Sequence, residues 1–262
     1  MIETFNVSDM SYLFKGLNIE NIKIDKWDVS NVKDMSHMFD NYASKFNCNL
    51  SNWDVRNVTN MQGMFRWCEK FTGNGLENWK VSKVEDMSYM FFCCEDNFYG
   101  NGLENWDVSN VTNMEGMFGC CRRIYDCDFS KWVVSKVINM NHMFHGCSRF
   151  IGIGLENWDV SRVTNMSCMF SNCYFFTGEC LENWNVGRVT NMSCMFIYCE
   201  RFNGYLCKWD VSRVTNMKEM FKGCEKFTGK GLNKWNVSNV TNLEDMFNIC
   251  RSLIFKPLWY GN

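Results

Sequence analysis

Proline is nearly missing: Pro257 stands alone in 262 residues. Histidine is scarce, with only His37, His142 and His145. No H-E-x-x-H surrounds His142 and His145, and no phosphate loop, dinucleotide fingerprint or G-x-S-x-G elbow occurs. There is no D-x-D-x-D-G calcium loop. These gaps predict a chain with no catalytic residue, no cofactor and no metal site. The formal charge is only −2, which gives no general case for nucleic-acid binding. No run of 18 apolar residues exists, so no membrane-spanning helix is predicted. The opening residues, Met1 to Asn6, lack the basic and apolar regions of a signal peptide, and a reducing intracellular compartment is the expectation.

What the chain has instead is a period. Tryptophan recurs at Trp27, Trp53, Trp79, Trp106, Trp132, Trp158, Trp184, Trp209 and Trp235. A second column runs through Met10, Met35, Met61, Met87, Met114, Met140, Met166, Met192, Met217 and Leu243. Each unit has about 26 residues and reads W-D-V-S-x-V-T-N-M-x-x-M-F-x-x-C-x-x-F-x-G-x-G-L-E-N. One such unit is too small to bury its apolar face, so neighbours must stack. One domain over residues 1–262 is predicted. Residues 1–26 form a degenerate first coil with Ile2 in place of tryptophan, 27–252 are regular repeats, and 253–262 are a terminal cap.

Within a unit, Trp79 and Val81 alternate with Lys80 and Ser82, the period of a half-buried strand. Met87, Met90, Phe91 and Cys94 then stand at i, i+3, i+4 and i+7, one stripe of a helix. The expected fold is therefore a repeat solenoid, leucine-rich-repeat-like (α/β or mostly β). Its ten coils carry a short parallel strand ladder on one face and short helical turns opposite. Trp79, Trp106, Met87, Met90, Phe91, Cys94, Cys121, Cys147 and Cys173 are assigned to the core. The Asn or Asp before each methionine suits a cap on a free N–H or a ladder along the stack; the letters do not separate the two.

Eight of sixteen cysteines share the Cys94 column, with Tyr42 at the same place in an earlier coil. One thiol per coil on an apolar stripe reads as a small hydrophobe rather than a disulfide framework or metal cluster. Of the adjacent pairs Cys93-Cys94 and Cys120-Cys121, one thiol is expected inside and one outside. Cys168 and Cys194 share a further column.

Candidate contacts lie on the outer positions. Arg162, Arg188 and Arg213 occupy one place in three consecutive coils, a spacing that favours an acidic partner. Asp107 and Asp159 belong to the column after the tryptophan, and Trp67 is off-column and expected to be exposed.

The motif Trp106 to Cys121, W-D-V-S-N-V-T-N-M-x-x-M-F-x-x-C, resembles the mycoplasma-type surface-protein repeats of about 25 residues, grouped with BspA-like leucine-rich repeat proteins. That resemblance implies a coil with Trp79 and Val81 in a strand and Met87 to Cys94 on the opposite side. It also implies adhesion or protein binding without catalytic residues. Related repeats occur on bacterial surfaces, in protists and in large DNA viruses, and the high Asn, Lys and Cys usage suits the last two. The functional expectation is a non-catalytic scaffold binding a protein partner. The alternatives are a structural protein forming homo-oligomers and a carbohydrate-binding or adhesive surface protein.

Overall fold

The computed structural model describes residues 6–17, 22–41 and 46–261. Ile2, Tyr42 and part of the polar stretch at 18–26 lie outside the described residues. Consecutive units lie on one another in register. Nine parallel bridges join the Asn/Asp column from Asp9 through Asp34, Asn60, Asp86 and so on to Asn242.

Helix and strand are both overturned as the coil's building blocks. Among the described residues there is no strand longer than an isolated bridge. The only helical pieces among the described residues are 3₁₀ segments of three residues: Leu76–Asn78, Leu103–Asn105, Leu155–Asn157, Glu179–Leu181 and Leu232–Lys234. The leucine-rich-repeat-like solenoid with strand ladder and helical backs is thereby corrected, as is the BspA-like geometry that the resemblance implied. Trp79 and Val81 are not in a strand, and Met87 to Cys94 are not a helix.

The cause is visible in the backbone of the M-x-x-M-F-x-x-C stretch. Two residues after each methionine position the chain takes a left-handed conformation, with φ of 54–58° from Tyr12 and His37 through Cys168 and Cys194 to Asp245. Four residues further on it does so again, for example at Trp67, Cys93 and Cys120. Each such residue interrupts a right-handed helix. In a helix the Phe91 N–H would close on the Met87 carbonyl. Instead it donates to the Met117 carbonyl in the next coil at 2.9 Å, while Met90 and Cys94 close i→i+3 turns on Met87 and Phe91. The N–H groups of Met87, Tyr89, Phe91 and Cys93 all reach forward to Asn113, Glu115, Met117 and Gly119. A β-strand would send alternate peptides to opposite neighbours. Here the alternate peptides turn inward to make tight turns, so no ladder extends beyond one bridge.

The interior is built from columns of identical groups. Phenylalanines at the Phe91 position, from Phe14 to Phe247, stack ring on ring at 5.5–5.8 Å. Tryptophan pairs such as Trp79–Trp106 and Trp132–Trp158 lie parallel at 6.3 Å. Each indole N–H from Trp53 to Trp235 donates to a carbonyl of the preceding coil, as Trp106 does to Leu76 at 2.9 Å. Trp259 repeats the arrangement: it lies on Trp235 and donates to Leu232. Trp79, Trp106, Met87, Met90, Phe91, Cys94, Cys121, Cys147 and Cys173 are all buried.

The cysteine column has a polar task inside this apolar interior. Each thiol from Cys68 to Cys250 donates to the phenylalanine carbonyl of the preceding coil at 2.9–3.1 Å. Burial raises Cys121, Cys147 and Cys173 far above the ordinary thiol range, so these sulfurs stay protonated and act as donors.

Glycine is required where coils meet closely. Gly154 has φ +86°, and a side chain there would run into the backbone of Phe129 and Ser130 in the coil before.

Candidate functional site

The outer loop of every coil from the second to the tenth is a four-residue turn, closed between Val29 and Val32 in the second and between Val237 and Val240 in the tenth. In the seventh coil the Val163 N–H closes on the Val160 carbonyl at 2.9 Å, with Arg162 near the tip. The aspartate before that turn is committed to it: Asp159 Oδ1 accepts the Ser161 N–H at 3.0 Å, and Asp107 accepts Ser109 at 3.1 Å. The Ser161 side chain and N–H hold the Asp159 carboxyl below its ordinary range. Asp107 and Asp159 are thus exposed turn-formers, each with an oxygen spent on its own backbone.

Arg162, Arg188 and Arg213 are exposed and repeat along the same rim. Lys136 occupies the same place one coil earlier, so four consecutive coils carry a cation there. Sequence reasoning named only the three arginines of this column, although Lys136 stands at the same place before Val137 and is legible in the letters. Lys136 donates to the Asn110 side chain at 2.5 Å, as Lys83 does to Asn57 at 2.7 Å. Elsewhere arginines are paired: Arg56 with Asp54 at 2.8 Å, Arg122 with Glu95 and Arg251 with Glu225. Among the described residues Arg162, Arg188 and Arg213 make no ion pair. Just inside the rim, Thr164, Thr190, Thr215 and Thr241 each donate a hydroxyl to the carbonyl one coil back, at 3.1–3.3 Å.

Trp67 is not brought to this rim. It sits in the third coil at a left-handed turn position, 40% exposed, edge-on to Phe92. It borders a shallow depression with Lys15, Asp40, Asn41 and Arg66.

A second set of groups lies on the left-handed positions. Cys93 and Cys120 stand at the same place in adjacent coils, as do Cys168 and Cys194. The expected division into one thiol inside and one outside fails at Cys93-Cys94, where both are buried; at Cys120-Cys121 one is half-buried and one buried. His142 reaches Cys168, and that contact raises the imidazole above its ordinary range. His145 lies edge-on to His142 at 5.4 Å, with a buried Nδ1 that has no hydrogen-bond partner. Burial, reinforced by His142, lowers His145 and keeps it neutral. Beyond Cys194, its thiol donates to Glu219 Oε2 at 3.6 Å, and Glu219 pairs with Lys222 at 2.7 Å. Among the described residues no three His, Cys, Asp or Glu side chains converge as a metal would need.

The Asn/Asp column performs both tasks that the letters left open. Its side-chain oxygen accepts the N–H two residues on, as at Asp86 to Ser88 and Asn165 to Ser167. Along the stack, Asn60 also donates to Asp34 and Asn113 to Asp86.

A family model described as "Mycoplasma protein of unknown function, DUF285" matches residues 2–97, 68–178 and 153–256. No curated protein matches the chain. Among solved structures, a leucine-rich repeat protein from Eubacterium ventriosum is similar over 96% of this chain and 69% of that one, at 12% identity and a TM-score of 0.41. A leucine-rich repeat protein of T. pallidum is similar over 50% of this chain and 69% of that one, at 13% identity and a TM-score of 0.23.

Proposed function

We propose, for a chain that belongs to the Mycoplasma family of unknown function DUF285, a non-catalytic scaffold that holds an acidic protein segment along the rim of Arg162, Arg188 and Arg213. The supporting observation is that three exposed guanidinium groups recur in register with no internal carboxylate taking them up, while Arg56, Arg122 and Arg251 are paired. A guanidinium offers a planar fork to a carboxylate. An extended acidic partner meets one fork per coil, and the spacing repeats along its length.

The test is binding of poly-L-glutamate, as a probe for an acidic chain, and of proteins captured from the native host. Arg188→Glu is expected to weaken both about tenfold or more at low salt, and wild-type binding is expected to fall as salt rises. Arg56→Glu, at a residue already paired, should change binding less than about twofold. Salt-independent binding, or equal effects of the two reversals, rejects this reading.

One observation favours self-assembly as the second reading. Ile254, Phe255 and Leu258 are exposed at 83%, 83% and 84%. Mass in solution by light scattering separates the two: a monomer that loses acidic binding on reversal of Arg188 supports the scaffold, and a defined oligomer dissolved by Phe255→Ser supports assembly.

A further inference from the structure

The left-handed positions two residues after each methionine form a column whose side chains lean onto the next coil. The His37 ring lies 2.6 Å from where a side chain at Gly63 would begin, and the Tyr89 ring 2.6 Å from the same point at Gly116. Cys168 and Cys194 occupy this column in consecutive coils, with the same φ of 56° and N–H groups bonded forward to Ser193 and Lys218. The two side chains therefore stand side by side on adjacent coils. Coils in bridge register stand about 5 Å apart, within the span that a disulfide crosses. The groups packed around the pair are asymmetric. Cys168 has His142 and His145 beside it, while Cys194 gives its S–H to Glu219.

We infer that Cys168 and Cys194 are a reactive dithiol that small-molecule disulfides convert to a bond between the seventh and eighth coils, with Cys168 as the attacking sulfur and Cys194 as the resolving one. The surroundings divide the labour. Contacts from Cys194 and His142 hold the Cys168 thiol below its ordinary range, whereas the Cys168 and Glu219 contacts raise Cys194. The Cys168 thiolate attacks one sulfur of RSSR. A mixed disulfide forms and RS⁻ leaves, taking the proton that His142 had held. Cys194 then attacks the Cys168 sulfur. The second RS⁻ leaves and takes up the proton that Cys194 gives up. The sum is two protein thiols and RSSR giving one protein disulfide and two RSH. The buried column, Cys121 and its neighbours, takes no part because those thiols stay protonated and enclosed.

The full-length chain, kept folded, is treated with oxidised glutathione, quenched with an alkylating reagent and mapped by peptide mass. The wild type is expected to yield a linked pair of peptides holding Cys168 and Cys194. Cys194→Ser should accumulate the glutathione adduct on Cys168, and Cys168→Ser should leave Cys194 at least about tenfold slower to react. The rate at Cys168 should already be high at pH 6, and His142→Gln should lower it there about tenfold, with a smaller effect at pH 9. The tryptophan near-ultraviolet circular dichroism of each variant reports whether the stack is intact, and the wild-type map stands without any variant. An adduct rate at Cys168 that climbs through pH 8–9 as a free thiol's does overturns the inference. So does linkage confined to Cys93 and Cys120, or equal labelling of all half-buried thiols.

Discussion

At the scale of single residues, one atom often serves two coils. The Leu76 carbonyl accepts the Trp79 N–H within its own coil and the Trp106 indole N–H from the next. The Phe91 carbonyl does the same for the Cys94 N–H and the Cys121 thiol. Tryptophan and cysteine are thus the two apolar residue types that also carry a donor to the required place. Trp106→Phe keeps a ring in the column and removes the donor and part of the volume. It should cost about 1–3 kcal/mol, read as a shift in the urea midpoint. Cys121→Ala should cost about 1–2 kcal/mol for the same two reasons.

The element scale is that of turns, and here the letters mislead in a definite way. The spacing of Met87, Met90, Phe91 and Cys94 suits a helix, and the same spacing suits a run of i→i+3 turns whose inward positions coincide with it. What separates the two is left-handed backbone at the third and seventh places. Glycine and asparagine stand there in some coils, but His, Tyr, Cys, Trp, Glu, Asp and Ile do in others, so residue type carries little signal. The inter-coil hydrogen bonds that impose that backbone exist only once the coils are stacked. The columns themselves, and the family, were legible from the 26-residue period. The arginine rim, with Lys136 beside it, was legible as a column, but whether carboxylates pair with it was not, because that depends on how the coils stack. The contact from His142 to Cys168 joins two coils and leaves no local trace.

Turns also yield their own tests. Ser109, Ser161 and Ser212 each give an N–H to the aspartate two residues before, but Lys80 and Val133 stand at that place in two coils, and Val133 is 55% exposed. Val133→Asp supplies the missing acceptor for Ser135 and should stabilise the chain by about 0.5–1 kcal/mol, the scale of a capping bond, in thermal or urea unfolding. Gly154→Ala meets both a positive φ and the backbone of the neighbouring coil. A loss of more than about 2 kcal/mol is expected, against little change for alanine at Gly187, which has ordinary clearance.

For the whole molecule, the turn carboxylates set the response to acid. Serine side chains and N–H groups depress Asp9, Asp28, Asp159 and Asp210 below the ordinary value in the folded chain, and the Ser130 N–H and side chain do so for Asp128. A depressed folded pKa stabilises the native state above the unfolded value, about 3.9, and that stability is lost as pH falls through the lower folded values. Thermal midpoints should be level from about pH 7 to 5 and drop below about pH 4. Ser161→Ala should lessen the drop. A midpoint indifferent to acid would show that these turns are not coupled to global stability.

In nine successive coils the same four amides point their hydrogens toward the following coil, as Met114, Gly116, Phe118 and Cys120 do toward Asn139, Asn141, Met143 and His145. Their dipoles add along the axis, opposed in part by the one amide per coil that points back, as Glu85 does to Thr59, and by the indole, thiol and threonine donors. Four forward amides against one backward leave a net polarity, with amide hydrogens in excess toward the last coil and carbonyl oxygens toward the first. A unit inserted by gene duplication must enter facing the same way, and any charge moved from one pole to the other feels the opposite field.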